Sequence, residues 1–109
     1  MFRIDIPLSG MQTSQIMMNI YSNNIANVNT EGYTEKKPVL ESIEGGGVRV
    51  AKIENTNSSV SLVSNLVELE LASLQYRANA FALKIMLDTY GSVINMLKCN
   101  RKECNIHCY

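Results

Sequence analysis

From Val60 onward, Leu62, Leu69, Tyr76, Leu83, Tyr90 and Leu97 recur every seven residues, and Leu66, Ser73, Ala80, Leu87 and Ile94 form a second set interleaved with them. Alternating steps of four and three sustained over five heptads predict a long helix built for coiled-coil packing, with Ser73 and Ala80 as small members of the seam. Gly91 weakens that helix by about 1 kcal/mol relative to alanine. A shorter helix is predicted over residues 8–28, where Leu8, Met11, Met18, Tyr21, Ile25 and Val28 gather on one face. Pro7 suits a first-turn position and Asp5 can serve the free amides. Asn27, Asn29, Thr30 and Gly32 mark the end, and the chain turns at Gly32.

Between the helices the pattern changes. Lys36, Lys37 and Pro38 interrupt helical spacing, Gly45, Gly46 and Gly47 are consecutive, and Val48, Val50 and Ile53 add β-branched weight. A small hairpin follows, 33–42 against 47–54, which needs a neighbour to lean on. The expected fold is therefore mainly α: two long antiparallel helices, an N- and C-terminal coiled-coil-like pair, with a small β-hairpin between them. The chain divides into an N-terminal helix and turn (1–32), a hairpin and linker (33–57), a long C-terminal helix (58–98) and a cysteine-containing tail (99–109).

Length then carries a consequence. A helix from Val60 to Leu97 runs about 57 Å and the first helix about 31 Å, so the first covers little more than half of the second. Val63, Val67, Leu71, Leu74, Phe81, Ile85 and Met86 lie largely off the seam, making the second helix apolar on more than one face. In a chain of this size such a helix is buried by other subunits.

Composition narrows the function. The 109 residues make one domain, and ten basic against ten acidic side chains give zero net charge, which argues against a nucleic-acid partner. No apolar run approaches a membrane span, so no direct membrane insertion is expected, and no cleavable signal peptide is expected at the N-terminus. Cys99, Cys104, His107 and Cys108 hold soft ligand atoms, but their spacing is not a paired metal motif, and no metal or cofactor is expected. With His107 as the only histidine and no serine elbow, HExxH or phosphate loop, no enzyme is expected and no catalytic residue is assigned. Asn19, Asn23, Asn24, Asn27 and Asn29 are unusual in a helix. They either end it early or make specific hydrogen bonds to neighbouring chains.

Ser9-Gly10-Met11, followed by Ser22-Asn-Asn-Ile-Ala-Asn-Val-Asn-Thr-Glu-Gly-Tyr33, resembles the N-terminal signature of bacterial flagellar axial proteins, an SxLxGM-like start and then ANNIANVNTxGY. Ser59-Val-Ser-Leu62 and Tyr76-Arg-Ala78-Asn79 resemble the family's C-terminal SNVDL and AYxAN segments, in the same order. The chain departs at Glu31, Ser73, Leu74 and Gln75. With so short a segment between the motifs, the resemblance is strongest to a short basal-body rod protein of the proximal type. It implies a structural subunit exported unfolded through the flagellar type III export apparatus after cytoplasmic synthesis. It also implies polymerisation through the terminal helices into the periplasmic rod, beside copies of itself and neighbouring rod proteins. Met11, Met18, Asn23, Asn24, Ile25, Asn27, Asn29, Leu62, Leu66, Leu69, Tyr76, Asn79, Leu83 and Leu87 are the expected assembly residues, and Thr30, Gly32 and Tyr33 the turn. The seam alone fits equally a cytosolic coiled-coil adaptor or export chaperone holding a client helix. That reading leaves the asparagine-rich motif unexplained.

Overall fold

A computed structural model describes residues 3–101, with side chains described through Leu97. Helix α1 spans Asp5–Ala26, strand β1 Lys36–Ser42, strand β2 Val48–Asn55 and helix α2 Leu62–Arg101. The helices pack antiparallel with the hairpin lying against α1, which is the expected architecture. The molecule measures 70 × 27 × 14 Å with a radius of gyration of 20.3 Å, against about 13 Å for a compact chain of this length.

The faces in contact differ from those the apolar pattern marks. On α1 the buried residues are Pro7, Gly10, Thr13, Ser14, Met17, Ile20, Tyr21 and Asn24. Leu8 is exposed, and Met11, Met18 and Ile25 are half-buried beside that face. On α2 the buried residues are Asn65 and Ala72, and Leu69, Tyr76, Asn79 and Leu83 share their face by helical spacing and are half-buried. Leu62, Leu66 and Leu87 are 43%, 48% and 50% exposed. Leu62 and Leu87 lie past the two ends of α1; for Leu66 the reason is steric as well as polar. Gly10, Ser14 and Ala72 carry little or no side chain, so the helices approach where they lie, and a Leu66 face would hold them apart.

At Gly10 the approach is close enough that an added Cβ would stand 2.6 Å from the Asn79 side chain. The apolar core between the helices is correspondingly small: Met17, Tyr21 and Ala72, with Met18 and Leu69 packed on it. α1 starts at Asp5, whose carboxylate pairs with Arg3 at 2.9 Å; Ile4 occupies the cap position and its side chain offers no bond. The Arg3 guanidinium holds the Asp5 carboxyl below its ordinary value. At the other end Ser61 precedes α2, and its Oγ accepts the Ser64 N–H, the arrangement of a serine N-cap.

In the hairpin, Lys36 pairs with Asn55 and Ser42 with Val48; the register slips between Val39 and Leu40, leaving Ala51 as the extra residue of a bulge. Its loop turns through Gly45, Gly46 and Gly47, all with positive φ, and added Cβ atoms at Gly46 and Gly47 would stand 2.8 Å from Ile6 and 2.7 Å from Ser9. The loop therefore needs glycine for both conformation and space.

Gly10→Ala should gain helix propensity yet lose about 1–3 kcal/mol to overpacking. In an Asn79→Ala background the same change should be neutral or stabilising. Urea denaturation of the four variants of that cycle measures the coupling.

Candidate functional site

Where the hairpin leaves α1, a cluster of hydrogen bonds joins four segments of the chain. Asn24 is fully buried. Its Nδ2 donates to the Lys36 carbonyl (2.8 Å) and to Asn65 Oδ1 (2.9 Å). Its Oδ1 accepts the Tyr33 hydroxyl (3.0 Å) and the Lys36 N–H (3.1 Å). One amide thus takes both backbone groups of Lys36, as a neighbouring strand would, and uses its full set of two donors and two acceptors. Asn65 continues the chain of bonds: its Nδ2 donates to Glu35 Oε1 (2.7 Å) and to the Ser61 carbonyl (2.8 Å). Glu35 Oε1 also accepts the Ser61 N–H (3.2 Å). Among the described residues no buried side-chain nitrogen or oxygen lacks a partner.

A second clamp holds the far end of the hairpin. Ser9 Oγ accepts the Val48 N–H (3.1 Å) and donates to the Ile6 carbonyl (2.7 Å), while Thr13 Oγ1 donates to the Val48 carbonyl (3.0 Å). α1 therefore acts on the strands at two points, Lys36 and Val48, through side chains in place of a backbone ladder.

The asparagines divide by direction. Asn24 is turned inward and satisfied within the chain. Asn27 closes the helix end, its N–H reaching the Asn23 and Asn24 carbonyls and its Nδ2 the Asn23 carbonyl (2.9 Å) and Oδ1 (3.0 Å). Thr30 Oγ1 donates to Asn27 Oδ1 (3.0 Å). Asn23 and Asn29 are on the surface. Gly32 turns with φ +80°, and the Lys36 ammonium stands 4.7 Å from the centre of the Tyr33 ring, a cation–π distance. Asn79 lies against Gly10, so the two motif segments singled out in the sequence touch. Its Nδ2 donates to the Gln75 carbonyl (2.8 Å).

Asn65, Glu35 and Thr13 are the members that sequence reasoning missed, and Ser9 stood in the Ser9-Gly10-Met11 motif with no role assigned. Asn65, Ala72 and Asn79 do repeat at seven-residue intervals, but a search for apolar heptads passes over such a series.

Outside this cluster the surface is unusually apolar. Val63, Val67, Leu71, Leu74, Phe81 and Ile85 run along the side of α2 away from α1 with exposures of 47–72%. Continuing the antiparallel register from Asn24–Asn65 and Gly10–Asn79 brings Asp5 level with Lys84. Residues 85–101 thus pass the end of α1 by about 25 Å. Among the described residues no helix is long and apolar enough to cross a membrane, and no three His, Cys, Asp or Glu side chains are grouped to hold a metal ion. Cys104, His107 and Cys108 lie outside the described residues, and the side chain of Cys99 is not described.

Tyr21, buried between the helices, has its pKa pushed up to about 12, first by burial and then by the Glu68 and Glu35 carboxylates. The fold prefers the protonated phenol. This contribution is complete below the ordinary value near 10 and is lost as pH rises toward 12. The melting temperature of the wild type should accordingly fall more steeply over that window than that of Tyr21→Phe. Asn24→Ala strands the Lys36 backbone groups and Asn65 Oδ1 and should cost about 3 kcal/mol. The exposed neighbour change Asn23→Ala should cost under about 0.5 kcal/mol; chemical denaturation compares the two.

Residues 4–34, which contain α1 and its turn, match the family model described as "Flagella basal body rod protein". The chain is 42% identical over 55 residues to the flagellar basal-body rod protein FlgG of Buchnera aphidicola subsp. Acyrthosiphon pisum, covering 50% of this chain and 20% of that protein. It is 43% identical over 56 residues to flagellar basal-body rod protein FlgG of Bacillus subtilis, covering 47% of this chain and 21% of that one. The chain thus spans about a fifth of the length of the curated relatives it matches. That family is a structural one, without enzymatic activity. Through the segment that forms α1 and the asparagine-rich turn, the chain is similar to the flagellar basal-body rod proteins.

Proposed function

We propose that this chain is a structural subunit of the bacterial flagellar basal-body rod, polymerising through its terminal helices into the axial tube. In this reading it is made in the cytoplasm, passes unfolded through the flagellar type III export apparatus and assembles in the periplasm beside copies of itself and neighbouring rod proteins.

The observation that carries the reading is the pairing of the family-matched helix with one face of α2 while the opposite face stays apolar and open. Among the described residues only Met17, Ile20, Tyr21 and Ala72 are buried hydrophobic side chains. A core of that size leaves the chain weakly held on its own, which suits passage in an unfolded state. Fully burying one large apolar side chain contributes about 1.5–3 kcal/mol. Covering the α2 stripe and the overhang at a growing tip therefore offsets the entropy of ordering them, and confines assembly to that place.

The subunit contacts fall in this proposal to Leu66 on the flank of α2 and to Leu62 and Leu87 past the two ends of α1. Met11, Met18 and Ile25 lie along the flank of α1, with Asn23, Asn27 and Asn29 at its exposed end. Asn24, Leu69, Tyr76, Asn79 and Leu83 shape the helix pair that presents them, and Thr30, Gly32 and Tyr33 direct the chain into the hairpin.

Leu66→Asp and Leu87→Asp change exposed positions, so each variant should keep its helical circular dichroism and yet be absent from detergent-washed hook-basal bodies. Quantified by mass spectrometry, the wild type should be present in the same particles at several copies each. A wild-type protein abundant in the cytosol and missing from the particles would overturn the proposal in favour of an adaptor.

A further inference from the structure

We infer that the Asn24–Asn65 amide pair is a register lock that decides which face of α2, and which level along it, α1 occupies. α2 offers more than one apolar surface. Beside the face α1 takes, where Asn65, Ala72 and Asn79 stand among Leu69, Tyr76 and Leu83, lie the Leu66–Ser73–Ala80–Leu87 series and the Val63–Val67–Leu71–Leu74 stripe. The Leu69–Tyr76–Leu83 and Leu66–Ser73–Ala80–Leu87 positions recur every seven residues, so apolar burial alone accepts a slide of seven residues at little loss.

The polar pair does not accept it. Asn24 has no solvent exposure and Asn65 has 3%, so each must find its partners inside the fold. A slide of one heptad puts Ala72 where Asn65 stands. Asn24 Nδ2 then loses an acceptor, Gly10 faces Met86 in place of Asn79, and Met17 faces Asn79. A rotation onto the Leu66 series carries Asn65 away from Asn24 and also from Glu35, whose Oε1 ties it to the base of the hairpin at 2.7 Å. The lock therefore joins three decisions: the face of α2, the level along it, and the seating of the strand that begins at Lys36. Loss of any one member leaves buried polar groups on the other two.

The test reads register directly. In a chain with Cys99, Cys104 and Cys108 changed to serine, Met17→Cys is combined with Ala72→Cys for the observed register or with Asn79→Cys for a one-heptad slide. Intrachain disulfides formed at low protein concentration are quantified by mass spectrometry after proteolysis. With Asn24 and Asn65 in place, the 17–72 bridge should exceed the 17–79 bridge by at least about tenfold. With Asn24→Leu and Asn65→Leu together, apolar burial is increased and the preference should collapse to within about threefold. Retention of the tenfold preference in the double leucine chain overturns the inference. If that chain loses its helical circular dichroism, Asn24→Ala with Asn65→Ala is read in the same way. Loss of helix in both overturns the inference too, since the pair would then be a requirement for folding and not a choice among folded registers.

Discussion

The structure turns on one buried amide. Asn24 sits near the end of a helix, has no access to water, and is kept there only because two donors and two acceptors converge on it. An amide in that position is costly unless every bond is made. Here the bonds come from the turn, the first strand and the second helix. Secondary structure elements far apart in sequence are thus fixed relative to one another by a group of a few atoms, in a molecule whose apolar core is too thin to do so by bulk. The hydroxyls of Ser9 and Thr13 repeat the device on Val48.

This division of labour explains why so much hydrocarbon is left outside. In most small domains apolar surface decides which elements pack and polar groups are tolerated where they are satisfied. In this chain polar and small residues form the closest intramolecular contacts, and the large side chains along the far side of α2 are left exposed. The faces are sorted by chemistry: Gly10, Ser14, Asn24, Asn65, Ala72 and Asn79 inward, the leucines and valines of the stripe outward.

The same sorting sets how far the sequence could be read. Heptad spacing locates α2, the glycine and asparagine run locates the turn, and the β-branched residues after the triple glycine locate β2, because each depends on local chain preferences. The face of contact was not legible. Counting apolar positions favours the Leu66 and Leu87 series, whereas close approach at Gly10 and the needs of Asn24 place α1 on Asn65 and Ala72. Asn24 is recognisable as unusual within a helix, but its partner lies 41 residues away. Nothing in the local pattern of Asn65 announces a buried role.

The length of α2 beyond α1 has a mechanical side. The last turns form a cantilever, supported at the Gly10–Asn79 contact and reaching past the end of α1 beyond Lys84. A sideways load at the tip becomes a torque about that fulcrum, where a helix without a side chain at residue 10 rests directly on an amide. Gly91 lies on the unsupported span, and its low helix propensity makes it the place where the beam yields first. Bending there relieves the fulcrum before strain reaches Asn24, so the joint that fixes the pairing is shielded from whatever pulls on the end of the helix.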